Sequence, residues 1–143
     1  MPSLTLDQCR QIIAVAFEKG AALKLKPLSV VVLDAGGHLK AFERQDGASN
    51  LRYQIANGKA YGALAVGMGS RGLFKRAQEQ AYFVQALNGL ANGAVVPVPG
   101  GVLIKDSAGE IIGAVGVTGD TSDNDEICAV AAIESVGFTA DPG

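Results

Sequence analysis

The chain has 143 residues, a net charge of −2, 48% hydrophobic residues and no tryptophan. That length suits a single domain, residues 1–143, with a sound core. The near-balanced charge gives no electrostatic case for nucleic acid or an anionic membrane, and no apolar run approaches the roughly 20 residues of a membrane helix. Met1 leads straight into an amphipathic pattern rather than a charged and then apolar leader. Cys9 and Cys128 each sit in an apolar helical pattern and read as buried free thiols of a cytoplasmic protein. With one histidine and two distant cysteines, a zinc site has almost nothing to draw on, and no metal site is expected.

Thr5 and Gln8 have capping-box spacing, and Asp7 suits the positive pole of the helix that follows. Leu6, Cys9, Ile13, Ala16, Gly20 and Leu23 repeat at three and four, an inward stripe that ends near Lys24 and Lys26 before Pro27. Leu28 to Leu33 is a β-branched, almost continuous apolar run, the mark of a strand buried on both faces. Ala35-Gly36-Gly37-His38 is a tight turn, and Leu39 to Arg44 returns as the second strand of a hairpin.

A second helix runs from Asn50 through Leu64. Gly58 and Gly62 weaken it by about 1 kcal/mol each relative to Ala, but with Ala56, Ala60 and Ala63 they make a smooth face for close packing on the sheet. Gly67-Met68-Gly69 breaks it, and Ser70 is placed to cap a short helix carrying Arg71, Lys75 and Arg76. Ala81 to Leu90 is ambiguous between helix and a turn at Asn88-Gly89; Val95 and Val96 suggest a brief pairing ahead of Pro97 and Pro99.

Pro97 to Gly119, PVPGGVLIKDSAGEIIGAVGVTG, reads as a glycine-rich entry and a hairpin turning at Ser107 to Glu110. Its glycines imply bends or another backbone lying close. Thr121 or Ser122 caps a last helix that is apolar on nearly every side from Ile127 to Ile133, and the tail after Gly137 looks loose. Hairpins joined by helices imply an α+β fold with an antiparallel sheet of about five strands.

The opening helix, VVVLDAGGHLKAFERQDGA (Val30 to Ala48), the Lys59-Ala60 pair, the Pro97 to Gly119 block and the acid-rich start of the last helix together resemble the GlcG/HbpS-like family, also called the PduO C-terminal-like domain. The resemblance spans essentially the whole chain. It implies a profilin-like fold, a five-stranded antiparallel sheet flanked by helices. It also implies homodimers that assemble further into octamers, and a small-molecule ligand: haem, a corrinoid-related molecule or a small organic acid. Haem is the cofactor it allows. Members that take haem through a histidine of the first helix have no counterpart here, since this helix has none; a Thr, Tyr or Lys ligand or a contact across subunits is left. Family membership fixes a fold better than a function, so an enzyme acting on a small unsaturated or hydroxylated carboxylate stands as the alternative to a binding protein.

Within that frame, His38 reads as an exposed turn residue rather than an axial ligand, because a two-glycine tip is a poor wall for a porphyrin. Arg44, Asn50 and Arg52 surround the start of the second helix, where guanidinium forks and free N–H groups suit a carboxylate or propionate; surface charge plus a cap is the plain alternative. Lys59 sits among Ala and Gly and reads either as a desolvated base, nucleophile or anion partner, or as a snorkelling side chain; Tyr61 is the other candidate for proton transfer. Gly100 and Gly101 beside Thr118 offer a main-chain anion nest. The pocket is expected between the second helix and the glycine-rich hairpin, with Phe42, Tyr53 and Tyr61 as apolar walls. Asp120, Asp123, Asp125 and Glu126 read as dipole and cap chemistry.

Overall fold

The structure, a computed structural model, describes residues 3–143. Its elements in chain order are α1 (Leu6–Ala22), β1 (Ser29–Asp34), β2 (Leu39–Arg44), α2 (Arg52–Val66), α3 (Ser70–Glu79), α4 (Ala81–Leu90), β3 (Gly101–Lys105), β4 (Ile111–Thr118), α5 (Ser122–Ser135) and β5 (Thr139–Asp141). The strands form one sheet in the order β2-β1-β4-β3-β5, every neighbour antiparallel. The α+β class and the five-stranded antiparallel sheet expected from the sequence are present.

The alternation of β1 explains its unbroken apolar run. Val30 and Val32 join the core under α1 and α5, with Ile12, Ile13, Cys128 and Ile133. Val31 and Leu33 face the opposite way, onto Ala56, Ala60 and Ala63 of α2. The sheet is therefore covered on both sides. At the head of α1 the reciprocal cap forms: Gln8 N–H donates to Thr5 Oγ1 (3.1 Å) and Thr5 N–H to Gln8 Oε1 (2.9 Å). The buried stripe of α1 takes in Ile12 and leaves Leu6 and Leu23 about 40% exposed at the ends.

The small face of α2 brings it into backbone contact with the sheet. A Cβ on Gly101 would fall on the Lys59 carbonyl, and one on Gly116 on the Ala56 carbonyl. This closeness removes the pocket expected between α2 and the glycine-rich hairpin: the two are packed flush. Phe42 and Tyr53 meet edge to face at 4.8 Å, and with Tyr61 they pack onto this second core.

Four local readings change. The tail is ordered as β5, whose Thr139, Ala140 and Asp141 pair with Lys105, Ile104 and Leu103. Ala81 to Leu90 is helix throughout, Asn88-Gly89 included. Val95 and Val96 join no strand; Val96 N–H donates instead to the Gly58 carbonyl. Ser70 does not cap α3, since Gly69 holds that position; its buried hydroxyl accepts the Gly101 N–H at 2.7 Å.

Two irregularities shape one end of the sheet. The β1–β2 register passes from Val32↔Ala41 to Leu33↔Leu39 and skips Lys40. The β3–β4 register passes from Ile104↔Gly113 to Lys105↔Ile111 and skips Ile112. Each is a bulge that re-aims a side chain, and both lie beside the two hairpin turns.

Candidate functional site

Two polar regions stand at opposite ends of the sheet. The first gathers around the start of α2. The ladder sets Arg44, Ser29 and Thr118 side by side on β2, β1 and β4. Arg52 Nη1 donates to Thr118 Oγ1 at 2.8 Å and its Nε to Ser49 Oγ at 3.1 Å. Arg44 Nη1 donates to Asn50 Oδ1 at 3.2 Å. The candidates Arg44, Asn50, Arg52 and Thr118 thus lie together. Ser29 Oγ, fully buried in the same row, has no hydrogen-bond partner among the described residues.

Behind that row, Lys59 is 2% exposed. Its Nζ donates to Asp125 Oδ2 and to the Val117 carbonyl, both at 3.0 Å. Asp125 Oδ1 accepts the Asp120 N–H at 3.0 Å. Burial pushes the Lys59 ammonium below the usual lysine range and the Asp125 carboxyl above its own, while the contact between them opposes both shifts. Asp125 is the residue sequence reasoning missed, having been read as helix-start chemistry. The signal was the lysine itself, because a buried ammonium requires a counter-charge. The neighbouring acids Asp123 and Glu126 bind Arg71 of α3.

Tyr61 does not join Lys59. Two residues on in a helix is more than half a turn round, and Tyr61 packs instead against Gly37 of the β1–β2 turn. Gly100 and Gly101 also serve packing: the Gly101 N–H is committed to Ser70, and Gly100, at φ +122°, has no room for a side chain beside Lys59 Nζ and the Val117 carbonyl.

The second region is an open cleft of about 650 Å³ at the other end of the sheet, lined among others by Leu4, Asp34, His38, Lys40, Ile111 and Ile112. His38 is an exposed turn residue, as the sequence reading has it. The structure brings up a second wall, the β3–β4 turn, and a floor from the head of α1. Both bulged residues, Lys40 and Ile112, line it. Asp34 Oδ1 accepts the N–H groups of Gly36 (3.0 Å) and His38 (2.9 Å) and lies 3.4 Å from His38 Nδ1. The His38 N–H contributes most to holding the Asp34 carboxyl below its ordinary range. The imidazole is 83% exposed. A further cleft of about 580 Å³, lined by Phe17, Lys26, Leu28 and Arg44, lies where α1 runs down to β1.

Residues 4–134 match the family described as haem degrading protein HbpS-like, so the chain belongs to that family. A protein of Citrobacter freundii, described as an uncharacterized 15.0 kDa protein in the dhaT-dhaS intergenic region, is 28% identical over 134 residues, 92% of this chain and 91% of that one. PduOC in a haem complex superimposes with a TM-score of 0.85 at 26% identity, over 96% of this chain and 97% of its own. HbpS of Streptomyces reticuli, solved as a double mutant, gives 0.80 at 26% identity over 96% and 89%.

Proposed function

We propose that this chain is a haem-binding protein of the HbpS-like family, acting as a cytoplasmic homo-oligomer. The observation that carries the reading is its likeness to the haem complex of PduOC over 96% of the chain. The donor set supports it. Among the described residues no three or more His, Cys, Asp or Glu side chains are grouped to hold a bare metal ion. Haem brings four ring nitrogens of its own and asks the protein for an axial ligand, an apolar wall and partners for its propionates. The hairpin-end cleft offers an imidazole, Leu4, Ile111 and Ile112, and the Lys40 ammonium, beside the carboxylates Asp34, Asp106 and Glu110. When bound, haem supplies iron redox and small-ligand chemistry. This chain's part is to hold it and limit its exposure to water.

Among the described residues no helix is long and apolar enough to cross a membrane. Helix α4 packs chiefly on α3 and leaves Tyr82 and Leu90 71% and 83% exposed, an apolar surface suited to a second copy. Titration with haemin tests the central reading: a saturable, near-stoichiometric Soret shift is expected, and its absence would refute haem binding.

The row of Arg44, Asn50, Arg52 and Thr118 favours a second reading, a site for a small organic acid. Calorimetric titration with small carboxylates should then give binding that Arg52→Ala removes. An enzyme using Lys59 or Tyr61 for proton transfer is less favoured: Lys59 is buried and held by Asp125, and Tyr61 stands towards the other end of the sheet.

A further inference from the structure

We propose that His38 is the axial ligand to haem iron, in the cleft between the two hairpin turns, with Asp34 as its positioning residue. This rests on the haem reading above. His38 is the only histidine in the chain. Its Nδ1 is the nitrogen turned towards Asp34 Oδ1, at 3.4 Å, which leaves Nε2 available to a metal. A carboxylate that accepts a hydrogen bond from the non-ligating nitrogen orients the ring and raises the basicity of the other nitrogen; at 3.4 Å Asp34 stands close to that position. Asp34 is itself held by two turn N–H groups, so it is a fixed partner rather than a mobile one.

The turn is built to permit this. A Cβ on Gly36 would lie 2.9 Å from His38 Nδ1, so a side chain there would push the ring away from its position over the turn. The Gly37 backbone, at φ +82°, reverses the chain against the Tyr61 ring. Lys40, set off the regular register by its bulge, is the cation on the cleft and the partner for a propionate. Of the two carboxylates across the cleft, Asp106 is occupied by its own turn, accepting the Ala108 and Glu110 N–H groups at 2.9 Å, and Glu110 is exposed to solvent.

The test is haemin titration of the full chain, read by Soret and visible absorption and by electron paramagnetic resonance of the ferric form. Wild type should show the signature of an imidazole-ligated iron. His38→Gly should weaken binding by at least the roughly 10–100-fold that loss of an outer-shell partner costs and lose that signature, and added imidazole should restore it. His38 is exposed, so the apo variant should melt with wild type; if it does not, His38→Gln, which keeps most of the side-chain volume, carries the same expectation. Asp34→Asn should retain haem but raise its midpoint potential, since a neutral partner leaves the imidazole a weaker donor. Haem bound with an unchanged signature in both His38 variants overturns this assignment while leaving the haem reading in place. No haem bound by wild type overturns both.

Discussion

The two ends of the sheet hold opposite kinds of polar chemistry. At the Ser29–Thr118 end, Lys59 is enclosed, and its ammonium is held by Asp125 and the Val117 carbonyl. At the Asp34–Gly113 end, the His38 imidazole is 83% exposed beside an open cleft, with one nitrogen turned to a fixed carboxylate. A buried charge attracts attention in a sequence because it is costly, but the partners that make it tolerable also occupy it. Lys59 joins α2, β4 and α5 and is best understood as a pin. His38 costs little to keep in place and has a nitrogen to give. On the proposed assignment, availability rather than burial separates a ligand site from a structural polar group.

The largest effect should come from breaking the pin. Lys59→Met leaves Asp125 buried without a counter-charge and should lower the unfolding free energy by about 3–5 kcal/mol in a denaturant melt. Adding Asp125→Leu should recover most of that loss, because burial disfavours both charged forms. A single variant as stable as wild type would remove the pin. Gly101→Ala places a methyl on the Lys59 carbonyl and should cost about 1–3 kcal/mol through overpacking, with no change in any ligand spectrum. At the cleft end, Thr5→Ala removes the cap beside Leu4 and should cost about 1 kcal/mol; an unchanged melt would show that the head of α1 is held by packing alone.

The smallest effect is a pH dependence. Asp120 accepts the Lys26 N–H and the Asn124 amide, and hydrogen bonding, led by the Asn124 amide, lowers its pKa from 3.8 to about 2. A carboxyl depressed in the folded state stabilises above its unfolded pKa, and that contribution is lost as pH falls through the folded value. Asp120→Asn should therefore lose less stability than wild type between about pH 4 and pH 2. Equal slopes in acid melts of the two proteins would contradict this.

Most of the fold was legible because its signals are local. The capping box at Thr5, the two-faced run of β1, the turn residues at Gly36-Gly37 and the smooth face of α2 each specify their own surroundings. β5 was not legible: three residues carry no alternation, and the strand exists because β3 presents an edge to pair with. The sites depended still more on distance along the chain. Arg44, Asn50 and Arg52 could be grouped by charge and helix position; Thr118, read with Gly100 and Gly101, joins them only through the β1–β4 ladder. Asp125 could not be matched to Lys59, 66 residues away, without knowing that α5 packs on the far side of β4. The cleft at His38 required knowing that both hairpin turns close at one end of the sheet. An antiparallel β2-β1-β4-β3 order sets that relation, but the strand order is not written in any one segment.

The most direct test of the contrast between the two ends is the haemin-induced change in melting temperature of wild type, His38→Ala and Arg52→Ala. A ligand that binds only the folded state adds about 2.7 kcal/mol at roughly 100 times its Kd, a rise of several degrees. Wild type and Arg52→Ala should show that rise in full, and His38→Ala, binding at least about 10-fold more weakly, should keep about half of it or less. A full rise in His38→Ala with none in Arg52→Ala would place the haem at the Lys59 end and contradict the assignment.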